Sequence, residues 1–443
     1  RLTRYKRENP RQGSILLIHG LAHSSLVFAT DTIKVNLPTY LYQNGYDVWL
    51  LDYRASIALP DRVPGRWLAE NQWTMDQMAY YDMHEAVKYV YCETGHEQIQ
   101  VLAHCVGAGC LAMAILDGRC HDPAFIDRNG RQTGRSMVSA LATHAVHPWM
   151  VPSRVNHVKT NLSAFLRDAI TWNTLDAVPP DEMSVAASDV FLDRIAGSFT
   201  WRELADRWCH RWETDERMGR EICDRITLFY SNQWKHDNLA SETHKELADL
   251  LGIGNLETLR QMYFILLRRR LTTRGGENRY VLKENFDARW TFPTLFAHGS
   301  ENQLYDPKSA ESSFRRLREL QACAPHPQEV HLFKVPDCGH MDLLLGKEAA
   351  TKVYPSFDVF FRRARAIQEG SSPQEAVQQM SEPLQEAWRE LDKVKPDPAR
   401  DPYWDPPRIP TCGPIVGWVR RPGGDLVLRL WVQPYLFSAI NPP

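Results

Sequence analysis

The sequence has no apolar run approaching the roughly 20 residues needed to span a bilayer. Its longest candidates, Leu111 to Leu116 and Phe264 to Leu267, are only a few residues each. It also has no excess of either charge. Lys plus Arg number 52 and Asp plus Glu 54 in 443 residues, which leaves no basic field to hold nucleic acid or an anionic membrane. Cysteine pairing is the third absence: nine cysteines, at 92, 105, 110, 120, 209, 223, 323, 338 and 412, show neither a disulfide framework nor zinc spacing. His144, His147 and His157 likewise lack the spacing of a metal site, so no metal and no cofactor are expected. These absences exclude a transmembrane segment and a nucleic-acid partner and favour a reducing, cytoplasmic setting. No charged, apolar, small-residue signal follows Arg1, which stands where Met would, so the chain reads as a piece of a longer one.

What is present is a rhythm of short apolar runs and helical patterns. The runs are Ser14 to His19, Asp47 to Asp52, Ile99 to His104, Met137 to His144, Thr294 to His298 and Val330 to Val335. Strands spaced by helices need crossover connections, so the expected fold is α/β, with a mostly parallel sheet covered by helices on both faces. Thr74 with Gln77 three residues on has capping-box spacing and should open a helix. Between about Pro148 and Trp290 the strand signal stops, and helices rich in Trp, Leu and charge take over.

The expected organisation is a core first half over 1–147, a helical lid insertion over 148–290, a core second half over 291–367, and a tail over 368–443. The tail reads as a helix from Pro373 to Val394, a Pro-rich linker from Lys395 to Pro410, and a hairpin over Val416 to Trp431 turning at Pro422-Gly423-Gly424.

Three segments carry chemistry. Ile99 to His104 runs straight into Cys105-Val106-Gly107-Ala108-Gly109 and then a helix, the setting of a nucleophile elbow with Ala103-x-Cys105-x-Gly107 in place of G-x-S-x-G. A thiol at a helix N-terminus beside an imidazole is expected to ionise readily. His19-Gly20-Leu21 follows the first strand, so the backbone N–H groups of Leu21 and Val106 are the candidates for an oxyanion hole. Pro336-Asp337-Cys338-Gly339-His340 follows the last strand and supplies the candidate base, His340. On the loop after the preceding strand the orienting position falls on Asn302, with Glu301 the carboxylate alternative. Asp342 is expected to anchor the His340 loop, and His19 and His104 to be hydrogen-bonded core histidines. Arg268-Arg269-Arg270 with Arg274 reads as a solvated helix face, against a grip on a coenzyme A or carrier phosphate.

Taken together, His19-Gly20-Leu21, Gly45 to Leu50, Tyr81-Asp82, the elbow, His340-Met341-Asp342, Gly346-Lys347 and Val353-Tyr354 resemble the acid-lipase group of α/β-hydrolases. The resemblance covers roughly residues 14 to 365. More closely, the chain resembles the hydrolase-like region found behind the flavin-dependent domain of some GMC oxidoreductases related to cholesterol oxidases.

Acid lipases carry serine and aspartate where this chain has Cys105 and Asn302. A cysteine elbow is similar to those of polyhydroxyalkanoate synthases and dienelactone hydrolases. The resemblance implies an esterase, thioesterase or acyltransferase acting on an apolar acyl group, free or held by a carrier or coenzyme A, through an acyl-Cys105 intermediate. A matched thiolate and imidazolium, oriented by Asn302, would make that chemistry possible. The rival reading is an inactive hydrolase-like module that binds a lipid or docks a flavoprotein domain lying N-terminal to, and outside, this chain.

Overall fold

The computed structural model describes residues 1–59, 72–95, 97–126, 130–153, 174–176, 223, 226, 230–394, 415–420 and 426–431. The chain divides into a main unit, Arg1–Val158 with Trp172–Pro396, and a small unit, Lys159–Thr171 with Asp397–Pro443.

The main unit is built on seven strands: β1 (Leu2–Tyr5), β2 (Ser14–Ile18), β3 (Asp47–Leu51), β4 (Ile99–His104), β5 (Val138–His144), β6 (Thr294–Gly299) and β7 (Val330–Val335). They lie in the order β1-β3-β2-β4-β5-β6-β7. Every pair from β3 to β7 is parallel, and only the edge strand β1 runs antiparallel, on β3. Five of these strands, β2 to β6, are buried throughout because both faces are covered. Along β2, Ile15 and Leu17 enter one hydrophobic core while Leu16 and Ile18 enter the other.

All six runs expected to be strands are strands of this sheet. β1 was not expected. Its residues are half-buried and partly charged, and it is held by Arg4, whose guanidinium donates to Asp47 at 3.0 Å, rather than by a buried apolar face.

Helices cover the sheet. The ones that matter here are α1 (Cys105–Leu116), α2 (Leu256–Arg268) and α3 (Tyr354–Gln368). Every residue of α1 is buried, as its small and apolar sequence requires. The helix at Met75 opens on the expected capping box, with Thr74 and Gln77 each accepting from the other's backbone N–H. It continues into a π-helical turn, Met78–Met83.

The region from 148 to 290 was expected to lack strands. It contains a short antiparallel ribbon, Thr174–Asp176 on Ile253–Asn255. Three-residue strands are too short for alternation to announce them. Much of the rest of that region lies outside the described residues.

The main unit also continues past residue 368. The helix Glu382–Asp392 buries Leu384 and Leu391, and Trp388 packs edge-on to His331 at 4.9 Å. In the small unit, Ile415–Arg420 pairs antiparallel with Leu426–Trp431, as a hairpin requires. Its Pro422-Gly423-Gly424 turn and the Pro-rich linker lie outside the described residues.

Candidate active site

Parallel strands put their carboxyl ends on one edge of the sheet, which is where such folds hold ligands. Here β4, β5 and β6 carry a histidine at or next to that end, His104, His144 and His298, and His19 follows β2. His340 comes from the loop after β7. All five are fully buried.

Cys105 is the first residue of α1 and has φ +52°, in the left-handed region that a non-glycine residue enters only under strain. That turn throws the side chain out between β4 and the His19-Gly20-Leu21 segment. Space there is tight by construction. A Cβ on Gly107 would run into the His19 carbonyl oxygen, and one on Gly20 would lie 2.8 Å from the Cys105 Cβ. Glycine at both positions lets the two backbones close up, and Leu21 and Val106 line the same small cavity as Cys105. The structure thus brings together the two amides singled out in the sequence.

On the other side stands His340. Asn302 is buried and bonds its ring Nδ1 at 3.1 Å, whereas Glu301 is exposed, so the orienting contact is made by Asn302 and not by the carboxylate alternative. The Asn302 Oδ1 accepts from the N–H groups of Leu304 (2.9 Å) and Tyr305 (3.2 Å). Those two donors fix which end of the amide faces His340: its N–H donates to Nδ1. His340 Nδ1 is therefore the unprotonated nitrogen, and the ring proton sits on Nε2. Nε2 is buried and makes no hydrogen bond among the described residues. Asp342 anchors the loop as expected, accepting from Gly339 N–H at 2.7 Å and Lys235 N–H at 3.0 Å.

A sulfur of Cys105 and ring nitrogens of His104 and His340 lie within 4.8 Å of one another. Thiolate and imidazolium were the expected resting state, and the surroundings oppose both. Burial pushes the Cys105 thiol up to about 11, outweighing the bonds from Val106, Tyr305 and Leu21. Burial, reinforced by His144, His23 and His298, drives His340 well below the ordinary histidine range. A protonated Nδ1 would also meet the Asn302 N–H head-on. Both shifts favour the neutral thiol and the neutral imidazole.

The same desolvation keeps the neighbouring histidines neutral. Burial takes His144 to about 3 and His298 to about 4. His104 is a hydrogen-bonded core histidine, as expected: it shares a hydrogen bond of 2.9 Å with His144 Nδ1, and its ring centre is 4.8 Å from that of His340. His19 also behaves as a core residue, bonded to the Gly20 carbonyl at 2.7 Å. His147 is tied to Thr143 at 2.8 Å, and His157 lies outside the described residues.

Sequence reasoning missed Tyr305, which lines the cavity beside Cys105 and His340. Its only signal is its place three residues after Asn302, in the turn that the Asn302 Oδ1 caps. Leu21, Val106, Leu251, Leu259, Met262 and Leu304 surround the thiol and leave a cavity of about 30 Å³, room for a water or two.

A wider hollow of about 230 Å³ lies among Asp76, Tyr80, Asp117, Arg119, Arg279 and Tyr280, and includes neither Cys105 nor His340. Arg274, the end of the basic run, pairs with Glu257 at 2.7 Å rather than standing ready for a phosphate.

No protein-family profile matches the chain. Over 118 residues it is 31% identical to sterol esterase 2 of Saccharomyces cerevisiae, which covers 25% of this chain and 21% of that protein. Over 119 residues it is 30% identical to a probable lipase of Schizosaccharomyces pombe, covering 26% of this chain and 27% of the other. The matched stretch therefore spans about a quarter of the length of these relatives.

Among solved structures, MenH from S. aureus aligns with 82% of this chain and 98% of its own at 11% identity and TM-score 0.38. A monoacylglycerol lipase of Paleococcus ferrophilus aligns with 83% and 97% at 11% identity and TM-score 0.35. Likeness at that level carries nothing about chemistry. The strand order, the parallel crossovers and the strained residue between β4 and α1 make this an α/β-hydrolase fold.

Proposed function

We propose that this protein is an acyl hydrolase or acyltransferase that handles the ester or thioester of an apolar acyl group through an acyl-Cys105 intermediate. The observation that carries this reading is the strained elbow at Cys105, which places its side chain in one small cavity with Leu21, Val106 and His340. An acyl carbonyl brought to that sulfur would present its oxygen to the Leu21 and Val106 N–H groups. The apolar lining favours an apolar acyl group. The esterase and lipase similarity points the same way.

The cavity is too small for an acyl chain, so the residues over it must move. Tyr230, Gln233, Leu251, Leu259 and Met262 all belong to the region 148–290, which on this reading serves as a lid.

Acylation demands that a neutral pair separate charge. The thiol proton passes to His340 Nε2 only after the ring proton has shifted to Nδ1 and Asn302 has released its N–H bond. Charging the pair is then the slow step, and transfer of the acyl group to water or an alcohol completes the cycle.

The same neutral pair favours a second reading, a module that binds an apolar ligand without turning it over. Reaction with an apolar acyl chloromethyl ketone, followed by intact mass and peptide mapping, separates the two. The enzyme reading expects a single adduct on Cys105, absent in Cys105→Ala and formed at least about 100-fold more slowly in His340→Ala. Labelling of Cys105 no faster than that of the exposed Cys92 and Cys323, and indifferent to His340→Ala, would establish the binding module instead.

A further inference from the structure

We infer that Cys223, His236 and His244 form a binding site for a zinc-class divalent cation, which braces the loop carrying His340. The inference does not depend on acyl transfer and stands even if the elbow only binds.

The three residues come from separate pieces of chain. Cys223 is a helical residue, His236 opens the 3-10 turn His236–Asn238, and His244 sits in the short helix Ser241–Lys245. All are buried, at 2%, 5% and 5% exposure, and their ligand atoms lie within 4.8 Å of one another. The Cys223 Sγ is 3.4 Å from His236 Nε2. With Zn–S near 2.3 Å and Zn–N near 2.0 Å, a sulfur and a nitrogen on one tetrahedral ion stand roughly 3.5 Å apart. That edge of the tetrahedron is already in place.

The rings of His236 and His244 have centres 5.5 Å apart and are tilted by 50°, so both can turn a nitrogen toward a common point without stacking. One thiolate and two imidazoles form a borderline-soft set that selects zinc over magnesium or calcium and leaves a fourth position for water. A cation on this trio displaces the thiol proton and, at His236 Nε2, the Trp234 N–H now 3.3 Å from it.

The consequence reaches the site through residues 233–238. Gln233 O accepts from Met341 N–H at 2.7 Å, Lys235 N–H donates to Asp342, and the Asn238 side chain donates to Asp342 Oδ2 at 3.0 Å. These bonds flank His236 on both sides and clasp the loop that carries His340. A cation at Cys223, His236 and His244 pins that clasp at its centre.

The test uses the full chain, stripped with a chelator and titrated with Co²⁺. Readouts are bound cobalt and the thiolate-to-cobalt absorption band. His104, Cys105 and His340 are the other trio close enough to hold an ion among the described residues, so Cys105→Ala is measured alongside. The site predicts about one equivalent of cobalt with a thiolate band in both wild type and Cys105→Ala. Cys223→Ser should lose the band, and His244→Gln, which keeps the thiol, should weaken binding at least about 100-fold. Circular dichroism checks that each variant is folded, and His244→Gln decides alone if Cys223→Ser is not. Wild-type protein that takes up no cobalt, a band that disappears with Cys105→Ala, or unchanged affinity in His244→Gln would overturn the assignment.

Discussion

The nucleophile side and the base side of the site are built differently. Cys105, Leu21 and Val106 stand on or directly beside the ends of β2 and β4, at the centre of the sheet, and glycines set their spacing. His340, Asn302 and Tyr305 stand on two loops, held by side-chain hydrogen bonds and by the clasp from residues 233–238. The first side has no slack and the second is adjustable. On the second side the Asn302 amide, its oxygen held by the Leu304 and Tyr305 N–H groups, leaves the imidazole proton on Nε2.

The rigid side breaks first under added volume. Gly107→Ala should destabilise the protein by about 3 kcal/mol or more, because the new methyl meets the His19 carbonyl and neither strand can retreat. Urea unfolding measures this, and a loss below about 1 kcal/mol would show that the sheet edge gives more than the packing implies.

The next effect is acid sensitivity on the same side. Burial alone would raise the Asp52 carboxyl, but the Ser25 N–H, the Ser56 hydroxyl and Arg1 together hold it down at about 2. A depressed carboxyl stabilises the folded state above its unfolded value near 4, and this stability is lost as the pH falls toward 2. The contribution is about 2 kcal/mol, and Asp52→Asn should flatten that part of the pH–stability curve. An Asp52→Asn curve that keeps the full acid slope would place the sensitivity elsewhere.

Five of the seven strands could be read from the sequence because a strand buried on both faces carries an apolar run, and Ile15-Leu16-Leu17-Ile18 offers no other interpretation, while β7 shows through its partial alternation of buried and more exposed residues. β1 could not, since a half-buried edge stabilised by Arg4 and Asp47 has no apolar pattern to find. The nucleophile side was equally open to reading: strand, small-residue turn and helix are contiguous in the chain, so Cys105, Leu21 and Val106 follow from local order. His340 and Asn302 were found by their position after β7 and β6. What Asn302 does with its two ends was not legible, because it depends on which backbone N–H groups the folded loop turns inward. Tyr305 escaped for the same reason. Cys223, His236 and His244 escaped because their spacing in the chain matches no motif and only the tertiary fold brings them together.

The base side should respond to chemistry rather than to volume. Asn302→Asp replaces the N–H donor with an acceptor, which moves the His340 proton to Nδ1 and leaves Nε2 free to receive the thiol proton. Capture of an acyl probe by Cys105 should then accelerate by about tenfold or more, equivalent to about 1.4 kcal/mol. An equal or slower rate would mean that Asn302 already turns its amide during the reaction.

The smallest effect is expected in the cover. Leu259 is half-buried over the cavity. Leu259→Ala should cost about 1 kcal/mol or less in unfolding free energy while speeding the reaction of Cys105 with bulky apolar reagents more than with small ones. Equal acceleration for both sizes would show that Leu259 does not set the opening.

The 30 Å³ left around the thiol also has a consequence in time. A sulfur with room for only a water or two meets a larger reagent only during intervals when the residues above it have moved away. As reagent concentration rises, the reaction at Cys105 should stop accelerating and level off at the frequency of those openings. Reagents with nothing chemically in common should then converge on one limiting rate, which belongs to the protein.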